Sequence, residues 1–245
     1  MKGILVRAGI DHSYGQWNAP ADPDSHRFVY VPIPENQNFY PGLEKPYREL
    51  MPDLNLFCLN QDCDLNRDLK FPPGLLKVNM HLDPDFQNLT YGDWSDRRGK
   101  EISQLREDDF LAFYAGLRPI KKCEHKLIYA LIGFYTVEEI VPIYNVPKNR
   151  WDENAHTRRA NHNKAEIIVR AKKDLSGRLE KCIPIGEWRD RAYRVRRDLL
   201  DVWGGLSVND GYIQRSAVPP SFLDAKRFYE WFLKQNVMLV EKNNL

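Results

Sequence analysis

Two stretches of this chain are apolar on both faces, and they limit what it can fold into. Residues 110–117 read FLAFYAGL and residues 127–137 read LIYALIGFYTV. Runs of this kind suit strands covered on both sides, so they predict the centre of a sheet rather than its edge. Further strand-like runs fall at 3–7, 28–33, 75–80 and 165–170, and the longer central run extends to residue 141. Helical periodicity is clearest late in the chain. Trp188, Ala192, Val195, Leu199 and Val202 follow spacings of four, three, four and three, which predicts a helix from residue 187 that Gly204-Gly205 would end. A last, capping helix is expected over 221–235, with Ser221 as its cap and Ala225, Phe228, Tyr229 and Phe232 as its buried face. These elements predict an α+β class: one domain over residues 1–245, with a mostly antiparallel, barrel-like sheet and packed helices.

Charge is distributed unevenly. The net formal charge is only +2, yet residues 1–147 carry 16 Lys and Arg against 21 Asp and Glu, and residues 148–215 carry 16 against 10. An acidic N-terminal part at −5 beside a basic part at +6 predicts that a polyanion meets residues 148–215. No apolar run is long enough for a membrane span, and MKGILVRAGID lacks a signal peptide's apolar core. The four cysteines make no CxxC pair. A reduced, cytoplasmic setting is the simplest expectation.

Three segments carry candidate chemistry. The first strand leads into Gly9 and then Asp11, His12, Ser13, Tyr14 and Gly15, a polar cluster at a strand exit. Such exits place reactive groups on a rigid scaffold, although polar turns also simply end strands. The second is His81-Leu82-Asp83-Pro84-Asp85. In an extended chain residues 81, 83 and 85 share a face, bringing an imidazole and two carboxylates together. Asp11, His12 or Asp24 could complete a metal shell there. Metal-free acid/base chemistry is the expectation, beside the plain reading of an Asp-Pro turn, and the residues name no cofactor.

The third is the long irregular stretch 147–164, which holds Arg150, Trp151, His156, Arg158, Arg159 and His162. Cations interleaved with an aromatic ring suit phosphate contact and base stacking, and a solvated loop is the competing reading. Arg189, in the arginine-rich segment 189–197, and Arg215, in NDGYIQR, extend the basic surface. The other long irregular stretch, 34–74, is expected to wrap the surface around short elements such as LNLFCL.

GIDHSYG with FVYVPIP after it, HLDPD at 81–85, DDFLAFYAGLR at 108–118 and LIYALIGFYTVEEI at 127–140 occur in a recognisable order. Together they resemble the third type of nucleotide modification-associated domain. The resemblance implies a prokaryotic or phage protein, tied to DNA base hypermodification or defence, with a nucleotide or nucleic-acid substrate and partner proteins of a modification system. It places recurring polar positions on Asp11, Ser13, Tyr14, Gly15, His81, Asp83 and Asp85, whereas the family commonly has Ser where this chain has His12. The segment 105–145 is also similar to the start of PUA-like barrels of the EVE and ASCH kind, which bind modified bases.

The resulting expectation is an enzyme acting on a modified nucleobase, a nucleotide or its sugar. Asp11, His81 and Asp83 are the expected catalytic groups, and Ser13, Tyr14, Gly15 and Asp85 are expected to bind substrate. Arg150, Trp151, Arg158, Arg159, His162, Arg189 and Arg215 are the expected nucleic-acid contacts. The alternative is a PUA-like reader without chemistry, which would need an aromatic cage rather than converging acids and imidazoles.

Overall fold

The computed structural model describes residues 1–13, 15–96, 99–215 and 218–244. Its strands are β1 Gly3–Arg7, β2 Pro20–Ala21, β3 Ile33–Pro34, β4 Met80–His81, β5 Thr90–Trp94, β6 Phe110–Pro119, β7 Ile128–Pro142, β8 Glu166–Ala171, β9 Gly177–Pro184, β10 Gly186–Arg189, β11 Ala192–Val195 and β12 Leu239–Val240. The α-helices are α1 Met51–Gln61, α2 Ala155–Arg158, α3 Arg197–Trp203 and α4 Ala225–Lys234.

The two doubly apolar runs are indeed central. β6 and β7 pair antiparallel, and the main sheet follows the order β1-β6-β7-β8-β5. β7 is long enough to serve two neighbours on one side. Its first half pairs with β9, which pairs with β12, and its second half pairs with β8. The parallel pairs join β1 and β2 to β6, and the other ladders are antiparallel. The class is therefore mixed α/β with a large, mostly antiparallel sheet. No closed barrel forms among the described residues, because β1 and β5 end the path without pairing to each other.

Strand alternation explains why both faces must be covered. On β6, Leu111, Phe113 and Ala115 enter one core, and Phe110, Ala112 and Tyr114 enter the other. The first core is closed by segments 17–31 and 47–82, including Leu54, Phe57 and Cys58 of α1. The second is closed by α3 and α4. There Phe228 stacks on Phe110 and Phe232 on Phe134, with ring centroids 5.4 and 4.4 Å apart. Full burial of side chains like these stabilises by about 1.5–3 kcal/mol each.

Several expectations are corrected. The stripe from Trp188 to Val202 is not one helix. Residues 186–195 form the β10–β11 hairpin, and only 197–203 are helical. Asp190 and Arg191 both take positive φ, 50° and 63°, the backbone of a two-residue hairpin turn. Trp188 is consequently 54% exposed, while Gly204, at φ 78°, ends the helix as expected. The last helix starts later than residue 221. Asp224, whose carboxylate accepts from the Arg227 N–H, is its cap, and Ser221 instead bonds Ser207 and Glu101. The run 75–80 is a short 3-10 turn followed by β4, and 28–33 is largely irregular.

Candidate functional site

β4 ends at His81, and the chain continues through Leu82 and Asp83 into a cis Asp83-Pro84 bond. The alternation expected of an extended segment holds for the first two polar residues. His81 and Asp83 turn to one side, and Met80 and Leu82 line a separate cavity of about 210 Å³ on the other. Facing them is His156, on the short helix α2. His81 Nε2 and His156 Nε2 each lie 3.8 Å from Asp83 Oδ2, and their rings are 5.0 Å apart at 62°. The three side chains are 10%, 6% and 5% exposed for His81, His156 and Asp83, so the site opens only narrowly.

Each ligand-like atom is held from behind. His81 Nδ1 is 2.8 Å from Glu35 Oε2, and His156 Nδ1 is 2.8 Å from Glu166 Oε1. An ionised carboxylate only accepts, so both Nδ1 atoms carry the hydrogen and both Nε2 lone pairs face Asp83. Arg159 lies between the two glutamates, donating to Glu35 through Nε at 3.1 Å and to Glu166 through a terminal nitrogen at 2.9 Å. Asp83 Oδ1 accepts from the Gly92 N–H at 2.6 Å and the Asn154 amide at 2.9 Å. Asn154 also caps α2 in a capping box with Thr157, which fixes where His156 begins its turn.

Burial sets the protonation states. Desolvation pushes Asp83 well above the usual carboxylate range, against the hydrogen bonds from Asn154 and Gly92. It also lowers His81, and takes His156 down to about 4, so both rings are neutral near pH 7. Burial would raise Glu35, but the hydrogen bond from His81 and the charge of Arg159 outweigh it and hold the carboxyl at about 2. Glu166 is lowered in the same way, burial being overcome by His156, the Asn163 N–H and Arg159. Two neutral imidazoles aimed at one carboxyl can exchange protons, or can hold a cation: His81, Asp83 and His156 each offer a ligand atom, all within 4.8 Å of one another.

A model of the family described as nucleotide modification associated domain 3 matches residues 2–203. The chain belongs to that family. No curated protein and no solved structure matches it. As a nucleotide modification associated domain, the chain is connected to DNA modification systems, and no described helix is long and apolar enough to cross a membrane.

Within this family member the sequence-predicted residues fall in different places. His81 and Asp83 come together. Asp11 pairs with Arg7 and accepts from the Ser13 N–H, at the exit of β1. Gly15 bridges back to Asp11 at φ 99°, where a side chain would meet Ile10. Tyr14 lies outside the described residues. Asp85 departs from the face shared by 81 and 83. It is buried under Arg158, Asn88 and Asn243, all donating to it, so its acceptor capacity is taken up internally.

The basic loop is also rearranged. Arg158 is 2% exposed and paired with Asp85, and Arg159 is buried between glutamates, so neither guanidinium reaches a phosphate. Trp151 stacks on Tyr40 at 4.4 Å, with His162 edge-on to both and the Lys148 ammonium 5.5 Å from its ring. Arg150 is tied to Glu153 and Arg189 to Glu187 and Asp210, while Arg215 is exposed. Sequence reasoning missed Glu35, Gly92, Asn154 and Glu166, and took His156 as part of a phosphate-binding loop. The one local signal was Asn154 followed by Thr157, a helix cap inside an apparently structureless segment.

Proposed function

We propose that the chain is an enzyme of a DNA-modification system acting on a nucleobase, a nucleotide or its sugar, with His81, Asp83 and His156 as its chemical centre. The observation that carries this reading is the convergence of two glutamate-held imidazoles on one buried carboxylate. An apolar core would not collect these groups without a use, since each buried polar group needs its own partner. Trp94 supports the assignment. It follows Gly92 by two residues on β5 and so shares the strand face that meets His156, and the residue is 39% exposed. We assign it to stacking on the substrate base, which such rings stabilise by about 1–3 kcal/mol.

Asp11 is assigned a supporting place at the strand exit, its charge matched by Arg7. The PUA-like reader has less support, because the best aromatic candidate in the basic loop, Trp151, already stacks on Tyr40. The deciding experiment is mass spectrometry of nucleosides from DNA replicated in the native modification context, with the wild type and with Asp83→Asn. Conversion by the wild type, reduced about a hundredfold or more in the variant, is expected of an enzyme. Unchanged nucleosides in every sample, with base-specific binding retained, would make the protein a reader.

A further inference from the structure

We propose that His81, Asp83 and His156 bind one divalent transition-metal ion, leaving a further position open for water or a substrate oxygen. The geometry comes first. A four-coordinate centre with bonds of about 2.0–2.2 Å spaces its donors about 3.3–3.6 Å apart. Both Nε2 atoms stand 3.8 Å from Asp83 Oδ2, a few tenths of an ångström beyond that spacing, and the three ligand atoms all lie within 4.8 Å of one another, so an inward shift of the side chains closes the set around an ion. At 3.8 Å these contacts are too long to be hydrogen bonds, so the three buried groups face one another without satisfying one another.

The surroundings are those of a ligand set. Metal-binding histidines characteristically donate their other ring N–H to a carboxylate, which fixes the tautomer and raises the basicity of the ligand nitrogen. Glu35 and Glu166 do this for His81 and His156. The Gly92 N–H and the Asn154 amide both take Asp83 Oδ1, leaving Oδ2 as the oxygen directed at the imidazoles. Charge agrees: Glu35 and Glu166 both face the single guanidinium of Arg159, and an ion that displaced the Asp83 proton would bring the excess to the two negative charges that a divalent ion neutralises.

Two imidazole nitrogens with one carboxylate oxygen suit zinc, ferrous iron or cobalt, and not magnesium or calcium, which prefer oxygen ligands alone. The proposal deepens the reading of this cluster as the reaction centre. An ion held here would take both imidazoles as ligands through Nε2 and would supply Lewis-acid chemistry at its open position.

The test strips the full chain with a chelator and titrates it with Zn(II), Co(II), anaerobic Fe(II) or Mg(II) alone, following binding by calorimetry and metal content. About one transition-metal ion per chain is expected, with Mg(II) weaker by about a hundredfold or more. Asp83→Asn and His156→Gln should each weaken binding by at least about a hundredfold, and Glu35→Gln by about 10–100-fold. Asp198→Asn, at an exposed surface pair, should leave it unchanged. Folded wild type that takes up no transition metal overturns the proposal, as does binding that folded Asp83→Asn retains in full. If those variants fail to fold, wild-type stoichiometry and the visible spectrum of the Co(II) form still decide. Metal binding without nucleoside conversion would keep this proposal and remove the functional one, and nucleoside conversion by a wild type that takes up no transition metal would do the reverse.

Discussion

The ring of His156 lies against Gly92 so closely that this position of β5 admits no side chain. A Cβ there would sit inside contact distance of the imidazole and 2.7 Å from Asn154 Oδ1. Gly92→Ala should therefore displace His156 and Asn154, two of the residues that meet Asp83, costing about 1–3 kcal/mol of stability as an overpacked core position and most of the activity. Gly74→Ala is the matched control, since a Cβ there meets nothing within 4 Å. Thermal unfolding and turnover of the two variants check this, and a stable, active Gly92→Ala would show that the packing around His156 is not required.

Asp11 and Asp83 should respond differently to the same change. Asp11→Asn weakens a salt bridge to Arg7 at the strand exit, so its cost should appear mainly as lower thermal stability, with turnover kept within about tenfold. Asp83→Asn should lose turnover by about a hundredfold or more at nearly wild-type stability. A hundredfold loss in folded Asp11→Asn would bring the strand exit into the reaction, as its polar sequence first suggests.

Arg159 holds two buried glutamates, and its removal should be felt in the whole fold. Arg159→Ala leaves Glu35 and Glu166 without their shared counter-charge, a change of the kind that destabilises by about 3–5 kcal/mol. Denaturant unfolding should show a lower midpoint. A midpoint unchanged from wild type would mean that the pairs contribute nothing net.

Any affinity for DNA should depend on the exposed cations and not on the buried ones. Lys148→Ala and Arg215→Ala should each lower the slope of log affinity against log salt, by about 0.9 for every phosphate the side chain neutralises. Arg158→Ala should lower stability instead, because its partner Asp85 is buried. Fluorescence anisotropy across a salt series distinguishes these. An unchanged slope in the surface variants would assign that face to solvent.

The sheet centre was legible because FLAFYAGL and LIYALIGFYTV can be covered only by burial on both sides, a property written in consecutive residues. His81 and Asp83 were legible for a related reason, since alternation in a short extended segment carries them to one face. The rest of the site was not. Glu35, Gly92, His156 and Glu166 reach it from separate segments, and no spacing in the chain encodes a meeting that β5–β8 pairing and an Asn154 cap produce. The arginines misled through composition: a run of charges looks like a solvated or phosphate-binding face, and only burial reveals that Arg158 and Arg159 neutralise acids inside. The hairpin at 186–195 misled through periodicity, because alternating apolar residues around a two-residue turn also fall at helical spacings.

The tail has a consequence for how this chain is cut for study. Leu206, Ile213, Phe222, Phe228 and Phe232 all lie beyond residue 203, where the family match stops, yet they cover the sheet face that presents Phe110 and Phe134. Further on, β12 pairs with β9, and Asn243 reaches back to hold Asp85 and the Phe86 N–H, two and three residues past Asp83. The end of the family match is thus not a boundary of folding in this chain. A fragment ending at residue 203 would expose a sheet face of aromatic rings and aggregate, so fragments for expression must run through Asn243.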